Sequence, residues 1–206
     1  MNLHKTLAAT FFALCLSLTA GCVSGKNYVP IDKSTLRGFG KLYFVPLEDF
    51  PLSTIQDLVD HYKDKYGISI EVLPSVPLSP SVLDTKRQQL IAEELITLMK
   101  REFRSLANDP EAILIGLTNE DMYIANYDWR FAFSHRQEQK YAVVSSARMT
   151  SESFFSGGTA KSRLRKMVTK NIGILYYHLA QSGDPRSVLY RDIGGTLELD
   201  NMGEDF

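Results

Sequence analysis

The sequence predicts an α/β fold: one domain with a mostly parallel sheet, one antiparallel edge strand, flanking helices and a loop-rich C-terminal segment. Three observations predict it. Stretches of strand character alternate with stretches of helical spacing, in the order strand, helix, strand, helix, strand. Residues 112–118 (AILIGLT) form an unbroken apolar run, as a central strand covered on both faces does. Residues 130–135 (RFAFSH) alternate instead, which suits an edge.

The elements follow in order. Residues 41–47 (KLYFVPL) are a short β-rich run. Pro51 and Leu52 open a helix in which Ser53 and Gln56 fit a capping box. Ile55, Leu58, Val59, Tyr62 and Tyr66 share one face of it, and Gly67 ends it. Residues 68–73 (ISIEVL) are a second strand, and Pro74, Pro77 and Pro80 mark a loop. Residues 84–106 are expected to be a second helix, with Leu90, Ile91, Leu95, Leu98, Met99, Phe103 and Leu106 at helical spacing. After the strands at 112–118, 130–135 and 141–146 comes a Ser- and Gly-rich loop, 151–161, and a third helix over 163–179.

Composition bounds the function. Lys plus Arg is 23 and Asp plus Glu is 24 in 206 residues, a net charge of −1. A nucleic-acid partner is therefore not expected. The chain has two Cys and four His, few of the residues from which protein zinc sites are built. No phosphate loop, Rossmann glycine pattern or local Ser/His/Asp signature is present.

The N-terminus reads as an export signal. A lysine at position 5 precedes an apolar run (TLAATFFALCLSL) too short to span a bilayer, and Thr19-Ala20-Gly21-Cys22 follows. That segment resembles a bacterial lipobox, in which Cys22 would become the lipidated N-terminus. A plain secretory peptide with an incidental Cys is the alternative. Residues 1–21 are then signal peptide, 22–40 a tether, and 41–206 the domain. Val23 stands where Asp goes with inner-membrane retention, so by analogy the site is the outer membrane, facing the periplasm.

Within the domain, the order of segments resembles the archaemetzincins, a zincin-fold group of zinc peptidases. The residues that carry this are 41–47 with Pro51, then Ile68-Ser69-Ile70-Glu71-Val72-Leu73-Pro74 as the second strand. Thr118-Asn119-Glu120-Asp121-Met122-Tyr123 is similar to the family's Thr-x-x-Asp-Leu-Tyr segment. Trp129-Arg130-Phe131-Ala132-Phe133 and residues 142–149 resemble its edge strand and the next one. The resemblance implies a single zincin-like domain over residues 41–206.

The family's chemistry rests on HExxHxxGxxH followed by Cys-x-x-x-x-Cys-x-Met. Two His four apart on a helix clamp Zn²⁺, and the Glu acts as general base. Aligned on Gly173, this chain has Lys170 for the first His, Asn171 for the Glu and Ile174 for the second His. Tyr177 stands for the turn Gly, Ala180 falls near the third His, and Ser187-Val188-Leu189 resembles the Cys-x-Met step. The expectation is that zinc, the family's cofactor, has lost its ligands, so no cofactor and no catalytic residues are assigned.

Several side chains have two readings. His178 could be recruited to the old site, or be a helix residue with no special role. Asp184, Asp192 and Asp200 could offer oxygen ligands, or sit in turns and on the surface. Glu120 and Asp121 could be an acid pair, or cap a turn. Trp129, Phe131 and Phe133 could line a peptide groove, or be core. Lys170 could fill the emptied metal position, held by a carboxylate or several carbonyls; truncating it would then cost more than truncating Arg163 or Lys166. It could equally be a solvated residue on a basic helix. The function this implies is a non-catalytic pseudopeptidase in the envelope, anchored by lipid, that binds a peptide or protein. A metallopeptidase with rearranged ligands and a structural lipoprotein are the alternatives.

Overall fold

A computed structural model of the protein describes residues 30–150 and 159–206. Strand β1 (Lys41–Pro46) leads into helix α1 (Leu52–Tyr66), which Gly67 ends with φ +65°. Strand β2 (Ile70–Val72) returns parallel to β1. A small hairpin follows, β3 (Leu83–Asp84) and β4 (Gln89–Ile91), and leads directly into α2 (Ala92–Glu102) and the short α3 (Arg104–Asn108). Strands β5 (Ala112–Thr118), β6 (Met122–Tyr123), β7 (Ser134–Gln137) and β8 (Tyr141–Ser145) precede α4 (Ala160–Leu175) and α5 (Thr196–Asn201).

The main sheet has the order β2-β1-β5-β8-β7, parallel except for β7, which runs antiparallel to β8 at the edge. Strand alternation builds two cores. Leu42 and Phe44 of β1, Ile113, Ile115 and Leu117 of β5, and Ala142 and Val144 of β8 face α1 and α4. Tyr43, Val45, Leu114, Tyr141 and Val143 face α2. The three-layer α/β/α arrangement, with its parallel sheet and antiparallel edge, is the one the sequence predicts. Gly116 is required in β5 because a Cβ there would lie 2.8 Å from the Met99 sulfur.

Four local expectations are corrected. The helix expected over residues 84–106 begins only at Ala92. Asp84 Oδ1 accepts the backbone N–H groups of Lys86 and Arg87 at 2.9 and 3.2 Å, and Gln88 takes φ +54°. That turn sends Leu90 and Ile91 into a strand beside Met122 and Tyr123. The edge strand lies at Ser134–Gln137 rather than 130–135. Arg87 and Gln89 bind the Arg130 carbonyl at 3.0 and 2.9 Å, and the Ala132 N–H donates to the Met122 carbonyl, which ties 130–132 to a second, three-stranded sheet of order β3-β4-β6. The capping box does not form: Gln56 Nε2 donates to Asp60, and Pro51 caps α1 without a side-chain bond.

The fourth correction concerns the tether. Cys22 and the signal segment lie outside the described residues, but residues 30–40 do not hang free. Ile31 and Leu36 pack on Val188, Leu189 and Phe206, and the Phe39 N–H donates to the Tyr176 carbonyl at 2.9 Å. Gly38 lies so close under the Tyr176 ring that a Cβ would fall 2.0 Å from it. Among the described residues, no helix is long and apolar enough to cross a membrane.

Candidate functional site

Helix α4 lies against the sheet because Leu164, Met167, Val168, Ile172 and Leu175 recur on one face and enter the core. Thr159 caps its start, accepting from the Ser162 N–H at 3.1 Å. Its end is sharp: the Leu179 N–H returns to the Gly173 carbonyl at 2.9 Å, and His178 takes φ +53°. Gly173 is an obligatory close approach, since a Cβ would lie 2.5 Å from the Phe206 ring and 2.9 Å from Leu189. Ser187, Val188 and Leu189, the segment aligned with the family's Cys-x-Met step, are therefore buried next to this helix.

A cleft of about 1290 Å³ opens between the C-terminal half of α4 and strand β7. Ordinary small-molecule pockets are about 300–1,000 Å³, so this one has room for an extended ligand. Lys170 and Ile174 line its floor, Arg136 and the rest of β7 one wall, and Arg191 to Gly194 the other. Trp129 stacks on Tyr127 at the rim, with centroids 4.5 Å apart and both rings about half exposed. The two other aromatics of the sequence reading divide: Phe133 is core, and Phe131 lies half-buried under the Arg148 guanidinium.

Lys170 is 3% exposed, so it is not a solvated lysine. Its ammonium donates to the Tyr190 carbonyl. Burial, then the charge of Arg136, pull its pKa down to about 8 against the opposing pull of Asp192. Asn171 is fully buried: its Nδ2 donates to the Met167 carbonyl at 2.7 Å, and its Oδ1 accepts from Arg136 Nη1 at 3.0 Å. Burial also lowers the pKa of Arg136. The structure thus joins Lys170 and Asn171 to an arginine that sequence reasoning missed. The misplaced edge strand hid it, because only the register beginning at Ser134 puts Arg136 on the α4 side.

The other candidates disperse. His178 is exposed beyond the helix, edge-on to Phe39 at 4.9 Å. His135 alternates to the α2 face, where burial lowers its pKa and Nε2 has no partner. Asp184 binds Arg186, Asp192 binds Arg191 at 3.3 Å, and Asp200 binds Arg163 through two bonds of 2.8 and 2.7 Å. Asp121 pairs with Arg148, and Glu120 accepts from Ser145 through its carbonyl, so these acids hold a turn. Among the described residues no three His, Cys, Asp or Glu converge.

The expected stability order on α4 also reverses. Arg163 is fully buried in its two-bond pair with Asp200 and donates to the Met149 carbonyl, and Lys166 donates to the Leu199 carbonyl. Lys170 has one carbonyl and no carboxylate.

No family model matches the chain, and no curated protein matches it. Solved structures do. The archaemetzincin of Archaeoglobus fulgidus, complexed with malonate, superposes with a TM-score of 0.64 at 20% identity, covering 81% of this chain and 94% of that one. The fold is archaemetzincin-like. The archaemetzincin of Methanopyrus kandleri gives 0.61 at 20% identity over 81% and 89% of the two chains. A zinc-dependent peptidase from Methanocorpusculum labreanum gives 0.61 at 17% over 80% and 95%.

These neighbours correct one expectation. No cofactor was expected, whereas a structural neighbour of this fold is a zinc-dependent peptidase. The three α4 positions themselves do not fit a metal. Lys170 presents an ammonium, Asn171 has both ends of its amide bonded, and Ile174 has no lone pair.

Proposed function

We propose that this protein is a lipoprotein of the bacterial envelope, anchored through Cys22, whose cleft binds a peptide or protein segment without cleaving it. The single observation that carries this is Asn171. It stands where the resemblance puts the general base, is fully buried, and is bonded at both ends of its amide, so it cannot take a proton from water.

The mode of binding is strand addition. The Ser145 N–H donates to the Phe133 carbonyl, which sets the phase of the β7–β8 ladder. Ser134 and Arg136 therefore fall between the bonded pairs, and their backbone groups point away from β8 towards the cleft. Among the described residues no strand lies beyond β7. A bound segment would meet these groups, with Trp129 and Tyr127 beside it.

Because residues 30–40 pack on the domain, a lipid on Cys22 would leave at most about 28 Å of chain between anchor and domain. The cleft would then work close to the membrane, in the outer-membrane location that Val23 supports by analogy.

The test is to incubate the full chain in detergent with a pool of acetylated peptides, with and without added Zn²⁺, and to analyse retained and free material by mass spectrometry. The proposal expects retained, intact peptides in both conditions. Cleavage that depends on Zn²⁺ would instead support a metallopeptidase with rearranged ligands. Failure to retain any peptide would support a structural lipoprotein.

A further inference from the structure

Among the described residues, neither Lys170 on the cleft floor nor Arg136 on its wall is paired with an anion. Lys170 is 97% buried by its 3% exposure, and its one described partner is a neutral carbonyl, that of Tyr190. An ammonium has three donors, so two are left for the cleft. Arg136 lines the same cleft and uses Nη1 on Asn171, again a neutral partner. Among the described residues the acid whose charge acts on Lys170 is Asp192, which is largely exposed and already bonded to Arg191. Elsewhere on α4 the buried cation Arg163 has a carboxylate in two-bond contact, and the buried Lys166 has two carbonyls where Lys170 has one. Burying like charges side by side is costly unless an anion joins them.

We infer that Lys170 and Arg136 form an anion-binding pair that takes a carboxylate of the bound segment. This rests on the peptide-binding reading and names what it selects: a segment that ends in a free carboxylate or carries an Asp or Glu at the position above α4. The planar guanidinium and the point-like ammonium suit the two oxygens of one carboxylate. With Ser134 and Arg136 offering backbone bonds on the wall and Tyr127 and Trp129 at the rim, the carboxylate would fix the register of an added strand.

The test uses the full chain in detergent and three pools of acetylated hexapeptides. One lacks Asp and Glu and ends in an amide, one lacks them and ends in a carboxylate, and one ends in an amide but carries a single Glu. Calorimetry is expected to show at least one acid-bearing pool binding about tenfold or more tighter than the neutral pool. Which acid pool wins distinguishes a chain terminus from a side chain. Lys170→Met and Arg136→Gln should each abolish that preference, the second guarding against a folding defect in the first. Equal binding of all pools, or a preference untouched by both variants, would overturn the inference.

Amine labelling of Lys170 followed by mass spectrometry separates this from the peptide reading. If no pool binds but succinate slows labelling, the anion pair stands and peptide binding fails. If succinate has no effect, or only inorganic phosphate protects, the carboxylate assignment fails.

Discussion

Replacing Lys170 by Met removes a charge that folding must strip of water. The ordinary lysine value of 10.5 falls to about 8 in the folded protein. At about 1.4 kcal/mol per pH unit this is a penalty of about 3 kcal/mol for keeping the ammonium charged. The sign is fixed by linkage. The folded state binds this proton more weakly, so the penalty is whole below pH 8 and shrinks as pH rises from 8 towards 10.5. Lys170→Met escapes it but leaves the Tyr190 carbonyl without its donor, at a cost of about 1–3 kcal/mol. The net expectation is a variant about 0–2 kcal/mol more stable at pH 7, losing that gain by pH 10. Urea unfolding of both proteins at the two pH values measures it. A variant less stable at pH 7, or a difference independent of pH, would refute the claim that this ammonium is buried without a counter-charge.

Other outcomes follow from particular contacts. Arg163→Ala leaves Asp200 without its partner and should cost about 3–5 kcal/mol in urea unfolding, against less than about 1 kcal/mol for Arg101→Ala, whose pair with Glu102 is exposed. Gly173→Ala drives a methyl into Phe206 and Leu189 and should cost about 1–3 kcal/mol, seen as a lowered Tm. Cys22→Ala should leave an uncleaved precursor with no acyl mass, read by mass spectrometry; an acylated variant would refute the anchor.

The sheet was legible because its strands carry their burial in their sequence. Residues 112–118 are apolar without a break, and the strand is buried at all seven positions. Gly67 likewise announced the end of α1. Where the reading erred, a local bond outweighed the pattern. Leu90 and Ile91 sit at helical spacing from Leu95 and Leu98, yet the Asp84 carboxylate builds a turn that makes them a strand. The Arg130 carbonyl is taken by side chains 41 and 43 residues away, which no periodicity reveals. That shift of the edge strand is also why Arg136 went unseen while Lys170 and Asn171, placed by alignment on Gly173, were found. The docking of residues 30–40 was hidden for a related reason: besides Ile31 and Leu36, it rests on a glycine under a tyrosine ring and a backbone bond, neither of which has a sequence signature.

The central claim is that a segment adds to the free edge of β7. Amide hydrogen exchange on the full chain, with and without a saturating peptide from the retained pool, tests it most directly. The account predicts that the Ser134 and Arg136 amides, which point away from β8, slow markedly on binding while those of β2 at the opposite edge do not change. Peptide that binds with no slowing at Ser134 and Arg136 would contradict it.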